Sequence, residues 1–532
     1  MDVFEIVIAL LVAGAGLAAL ARRLTTPYPA LVALAGAALA LVPRVPTLVL
    51  DPELALALFV APVLLDAAFD SSPRDLRADW RTIAGLALGA VALTIAVVAV
   101  VARALVPQMP WSAAIALGAI VAPPDAAAAT AVLKQLRPPH RLLVILEGES
   151  LFNDASALLV YRLAVGATAT GFLAGWTVVP MLLFVTVGSV VLGLLLARAM
   201  AFTTARVHDV ATAVVFQFCG AFAVWLLAER LHLSGILTMV VFAMSAARRS
   251  GDTIPARIRI PSYAVWEVAV FVLNVLAFIL VGFQLRSLAG RLSRAMWLDY
   301  AAVAAAVCAA TILARAAWVG GAAAISRWRC RANRDGTQTR LDTIALSRNA
   351  ALVVSWCGMR GTVTLAAALA LPTRFPFRDL ILFTAFAVVL GTLVLQGMTL
   401  RPMMTWLQLG DDDTVEREVR LARVETLRAG LAVTDGKEGT DTTAFMRYRY
   451  EMLLRRAEAE LEGEAADRGP GPAGASGVSP EDAETVRAAT AAQRRRLTAL
   501  RADGTIGDDA FQRLEQELDL AELDLQQVLR TE

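Results

Sequence analysis

Residues Leu146-Glu147-Gly148-Glu149-Ser150-Leu151-Phe152-Asn153-Asp154-Ala155 place three carboxylates in a stretch otherwise apolar enough to cross a membrane. An ionised acid at the centre of a membrane helix costs about 2.5 to 3.5 kcal/mol on insertion scales. Three together cost roughly 8 to 10 kcal/mol unless they are paired, protonated or wetted. A cost of that size points to function. At 3.6 residues per turn Glu147, Ser150 and Asp154 fall near one face, and Glu149 and Asn153 form an i,i+4 pair directed elsewhere. A buried structural network is the competing reading, and it fits Glu149 best.

The surrounding chain agrees. Of 532 residues 58% are hydrophobic, and the mean hydropathy of +0.61 is far too high for a soluble protein of this size. The expected class is an all-α polytopic membrane protein. About 20 apolar residues span a bilayer, which yields about 13 segments. They lie near 3–20, 28–43, 52–69, 82–105, 111–133, 142–166, 177–200, 209–229, 233–247, 264–285, 296–321, 349–371 and 379–406. The acidic N-terminus (Asp2, Glu5) runs directly into the first segment, so no cleavable signal is expected.

Charge orients the segments. One set of loops carries twenty basic residues, among them Arg22, Arg77, Lys134, Arg137, Arg248, Arg257, Arg334 and Arg340. The alternate loops carry eight: Arg44, Arg103, Arg230, Arg286, Arg291, Arg294, Arg374 and Arg378. The richer side is cytoplasmic. The N-terminus is therefore expected outside and the C-terminus inside. Residues 411–532 hold 27 acidic against 17 basic residues, so a basic membrane domain (1–410) joins an acidic, mainly helical tail (411–532). A Gly/Pro linker near 469–480 divides the tail. Its last part, as in Leu514-Glu515-Gln516-Glu517-Leu518-Asp519-Leu520, reads as a helical hairpin or coiled-coil-like contact.

Thirteen segments divide as inverted six-helix repeats around a connecting seventh, a plan common among transporters. Both repeats are interrupted in their fifth segment, at Ala122-Pro123-Pro124-Asp125 and at Cys357-Gly358-Met359-Arg360-Gly361. Backbone broken at membrane depth survives only where protein or a wet cavity satisfies the freed groups. Two such helices crossing would set a carboxylate and a guanidinium among half-helix dipoles. A plain proline kink and a snorkelling Arg360 are the alternatives, and both sit poorly with a charge so deep in the segment. Asp66 and Arg315 are further intramembrane charges that need partners. Glu267 reads equally as interfacial and is left outside the site. His140, His208 and His232 read as solvated loop residues. Four scattered cysteines offer no disulfide framework.

With these residues in place the chain resembles the monovalent cation:proton antiporter family that includes bacterial NhaP-type and eukaryotic sodium/proton exchangers. Glu149-Ser150-Leu151-Phe152-Asn153-Asp154 resembles its E-S-x-x-N-D signature. Trp356 to Thr364 resembles its G-x-R-G signature, and Phe278 to Gly282 a further helix pattern. The resemblance implies an NhaA-like antiporter fold, a homodimer in the cell membrane and transport of Na+ (or K+ or Li+) against H+. No cofactor and no nucleic-acid partner are expected. It implies that Asp154 takes cation or proton, with Asn153 marking the one-aspartate form of the site and Ser150, Asp66 and Asp125 as further cation- or proton-binding groups. Glu149 would pair with Arg315, and Asp125 and Arg360 would offset dipoles where the broken helices cross. The family's Thr-Asp-Pro at the first break is here Pro124-Asp125-Ala126, so the Thr hydroxyl is absent.

Sodium/proton antiport by alternating access follows as the expectation, electroneutral because Asn153 cannot titrate. Potassium/proton exchange is the near alternative, and a passive channel the distant one. No H-E-x-x-H or G-x-G-D motif suggests an enzyme.

Overall fold

The computed structural model describes residues 2–24, 26–40, 52–136, 138–170, 175–207, 209–253, 255–289, 294–332, 347–409, 413–434, 441–462 and 480–528. Outside them lie the linker 469–477, His208 and the loop residues Arg44, Arg137, Arg291, Arg334 and Arg340.

Among the described residues the secondary structure is helical throughout. The helices are α1 (Asp2–Leu24), α2 (Tyr28–Ala40), α3 (Pro52–Asp70), the short α4 (Pro73–Ala78) and α5 (Trp80–Ala84). The last of these continues through a π-helical turn, Gly85–Ala90, into α6 (Val91–Leu105). Then come α7 (Trp111–Val121), α8 (Ala126–Leu136), α9 (His140–Thr170), α10 (Gly175–Thr204), α11 (Val210–Arg230), α12 (Gly235–Thr253), α13 (Ala256–Ala289) and α14 (Arg294–Ala332). Next are α15 (Arg348–Trp356), α16 (Thr362–Leu369) and α17 (Arg378–Leu407). The tail holds α18 (Thr414–Thr434), α19 (Asp441–Glu462), α20 (Pro480–Ala502) and α21 (Asp508–Val528). Six described helices are long and apolar enough to cross a membrane.

Local chemistry sets the ends that matter. Ser347 caps α15 by accepting from the Ala350 amide at 3.1 Å, and Asp209 caps α11 by accepting from the Thr212 amide at 2.7 Å. Pro123 and Pro124 have no N–H to donate, so α7 cannot run on into α8. Two hydrophobic cores organise the membrane part. The larger joins α6–α9 with α14–α17, and the smaller joins α3 with α10–α12.

The tail is not a detached hairpin. Its helices share their own cores, built from residues such as Val419, Leu500, Phe511 and Leu514. Helix α21 docks on the membrane helix α13, where Arg259 Nε donates to Asp519 Oδ2 at 2.7 Å and Arg259 Nη1 lies 3.2 Å from Glu515 Oε1. The reading of His140 as a solvated loop residue is corrected. It opens α9, half-buried, with Nε2 3.3 Å from Asp75 Oδ2 and Nδ1 3.4 Å from Asp509 Oδ2 of the tail. Two carboxylates, one from each part, draw the ring out of water. His232 does lie in an exposed turn.

Candidate ion-exchange site

The two broken helices meet. The Asp125 amide, freed by the break between α7 and α8, donates to the Met359 carbonyl in the α15–α16 break at 2.7 Å. Asn153 Nδ2, one turn of α9 away from Glu149, donates to the Pro124 carbonyl at 3.1 Å. The backbone groups that the breaks orphan are thus taken up by protein.

Charged side chains match the half-helix ends. Arg360 is fully buried and donates through Nε to the Val121 carbonyl at 2.9 Å, through Nη2 to Ala122 at 3.4 Å and through Nη1 to Gly358. The Val121 and Ala122 carbonyls stand at the negative end of α7 and that of Gly358 in the α15–α16 break, so the cation is met by a helix dipole and has no carboxylate partner among the described residues. Asp125 stands at the positive end of α8 and against the start of α16. A Cβ on Gly361 would lie 1.5 Å from its Oδ2, so only glycine lets the helices approach this closely.

Glu149 and Arg315 form a second buried feature. Their side chains are 1% and 2% exposed. The guanidinium grips the carboxylate with both terminal nitrogens, Nη2 to Oε2 at 2.8 Å, and its Nε donates to the Val354 carbonyl at 3.1 Å near the end of α15. A two-pronged pair of this kind leaves no group for ion exchange.

Asp154 is different. It is 5% exposed, and its carboxylate has no hydrogen-bond or ion-pair partner among the described residues. Beside it Asn153 is fully buried with Oδ1 lacking a hydrogen-bond partner. One turn earlier Ser150 Oγ accepts weakly from the Ala126 amide at 3.4 Å. Oxygens without hydrogen-bond donors, next to an acid, suit a small hard cation.

Asp66 lines a cavity of about 580 Å³ among α2, α3, α10–α13 and α21, whose lining does not include Asp154. Glu267, set aside in the sequence reading, lines the same cavity, as do Tyr28 and Asn274, which hydrogen-bond each other. Gln512 and Gln516 of the tail border it and also a neighbouring cavity of about 540 Å³ lined by Glu147 and His140. Sequence reasoning missed Asn274 and the tail glutamines because nothing in their spacing marks them.

The family profile of transmembrane sodium/hydrogen exchangers matches residues 6–406. An uncharacterised Na+/H+ exchanger of Mycobacterium tuberculosis is 31% identical over 95% of this chain and 93% of its own. A sodium, potassium, lithium and rubidium/H+ antiporter of Bacillus subtilis is 30% identical over 67% of this chain and 54% of its own. The sodium proton antiporter MjNhaP1 of Methanocaldococcus jannaschii superposes with a TM-score of 0.59 at 19% identity, covering 75% of this chain and 99% of that one, a likeness of fold. The matched span takes in both helix breaks and every charge at their crossing, and the chain belongs to the sodium/hydrogen exchanger family.

Proposed function

We propose that this protein exchanges sodium for protons by alternating access, through thirteen spans arranged as inverted repeats, with the N-terminus outside and the tail in the cytoplasm. Residues 1–410 carry transport in this reading and assemble as a homodimer. The observation that carries the reading is the carboxylate of Asp154, buried without a cationic partner among the described residues. Such a group holds a proton or, after losing it, a small cation through oxygens, and never both. Asn153 Oδ1 and Ser150 Oγ complete the ligand set. Glu149, Arg315, Asp125 and Arg360 hold the crossing helices in shape. Asp66 lies on the cytoplasmic approach.

With one exchanging carboxylate, one proton is traded for one monovalent cation. The membrane potential, worth about 2.3 kcal/mol per charge per 100 mV, then neither drives nor brakes the cycle. The test is proton flux in proteoliposomes on addition of sodium, with and without a valinomycin-clamped potassium potential. Asp154→Asn should abolish flux. Full activity in that variant removes the assignment, and an equilibrium point that moves with the potential removes the one-for-one stoichiometry. Potassium and lithium are the second reading, favoured by the broad cation range in the name of the Bacillus subtilis relative. The same assay with each salt separates them.

A further inference from the structure

A cleft of about 670 Å³ runs between α5, its π turn and α9 on one side and α10–α12 on the other, away from the cavity that holds Asp66. Its lining is mostly apolar and includes Ile83, Leu88, Phe152, Leu159, Ile236 and Met244. Along α12 it reaches from Gly235 to Arg248, about 20 Å at 1.5 Å per residue. One bilayer leaflet is about 15 Å of hydrocarbon. A single extended acyl chain therefore fits its length.

The two ends differ in charge. At one end Arg162 and Glu229 neutralise each other in an ion pair, with His232 beside them. At the other end lie Arg77 and Arg248, both exposed, and neither has a hydrogen-bond or ion-pair partner among the described residues. Trp80 also lines that end and carries Arg81 over its ring, 5.6 Å from the centroid. An aromatic ring with unpaired arginines at the end of an apolar slot is what a lipid headgroup region meets.

We propose that this cleft binds one acyl chain of an anionic glycerophospholipid, its phosphate held by Arg77 and Arg248. Charge complementarity selects an anionic lipid over a zwitterionic one, and the neutralised far end sets the direction in which the chain lies. The bound chain rests on Phe152, the residue before Asn153 and Asp154, so it touches the helix that carries the ion site.

The test uses the full chain, delipidated in detergent, titrated with dioleoyl phosphatidylglycerol or dioleoyl phosphatidylcholine and read by native mass spectrometry. Phosphatidylglycerol should bind at a stoichiometric site, and Arg77→Gln with Arg248→Gln should weaken it about tenfold or more. Leu159→Trp, which fills the slot, should lower binding of the same lipid with both arginines present. Glycerol phosphate, which has no chain, should not displace it. Equal binding of both lipids, an unchanged double variant, or full displacement by glycerol phosphate would each overturn the proposal. A variant that fails to give a monodisperse protein is replaced by Arg77→Lys with Arg248→Lys, which should keep the preference for phosphatidylglycerol. A second readout rests on the exchange reading: wild-type exchange should differ between vesicles of the two lipids, and the double glutamine variant should not. Because the titration needs no transport, failure of the site and failure of the exchange reading give different results.

Discussion

Arg259 of membrane helix α13 and Asp519 of tail helix α21, 260 residues apart in sequence, form a buried ion pair with side chains 3% and 1% exposed. Glu515 lies against the same guanidinium, and Arg494 reaches Asp519 from α20. Four charges from three helices thus hold the tail over a cavity lined by Asp66.

Removing one member of a buried pair leaves the other uncompensated, at a cost of about 3 to 5 kcal/mol. Arg259→Met should therefore release α21 from α13. Limited proteolysis should then cut the tail faster than in the wild type, while the membrane domain stays intact. Unchanged protection would show that the pair does not hold the tail.

The same contact gives docking a pH dependence. Burial pushes the Glu515 carboxyl above its ordinary range, outweighing Arg259, with Asp519 adding to the rise and Arg494 and Arg501 opposing it. A carboxyl whose pKa is raised on docking binds its proton more tightly in the docked state. Its contribution is therefore full below the ordinary carboxyl range and fades as pH rises through the raised value. Tail protection should be greater at about pH 5 than at about pH 8, and Glu515→Gln should flatten that difference. An unaltered pH profile in Glu515→Gln would assign the dependence to another group.

Glu149 and Arg315 are each other's neutralising partner, and each is otherwise a lone charge in the apolar core. Glu149→Gln and Arg315→Gln should each lower thermal stability by about 3 to 5 kcal/mol, and the double variant should lose less than the sum. Strict additivity, measured by detergent-solubilised melting, would mean the pair is not coupled.

Gly361→Ala should be disproportionately damaging for one methyl group. Its Cβ would overlap the Asp125 carboxylate and force the crossing helices apart. Proton flux should fall severely even where the protein still inserts and folds. Near wild-type exchange would show that the crossing tolerates expansion.

The sequence by itself determined the membrane class, the two helix breaks and the short roll of buried charges. Hydropathy counted over 20 residues and the missing N–H of Pro123 and Pro124 are local properties, readable without coordinates. That a lone charge in lipid demands a partner was also legible, while the choice of Arg315 for Glu149 came from the resemblance to the exchanger family. What the sequence could not decide is which carbonyl each cation meets. That Arg360 is held by the end of α7, and that Arg315 also closes α15, depends on the packing of segments more than 200 and about 40 residues apart. Nor could helical periodicity set Asp66 in one cavity with Glu267 and Asn274, draw His140 between Asp75 and Asp509, or bring Gln512 and Gln516 to that cavity. His140, Gln512 and Gln516 look like ordinary solvated positions in sequence. The docking of α21 on α13 sets Gln512 and Gln516 at the cavity and brings Asp509 to His140, because such neighbours are a property of packed surfaces and not of a chain's local pattern.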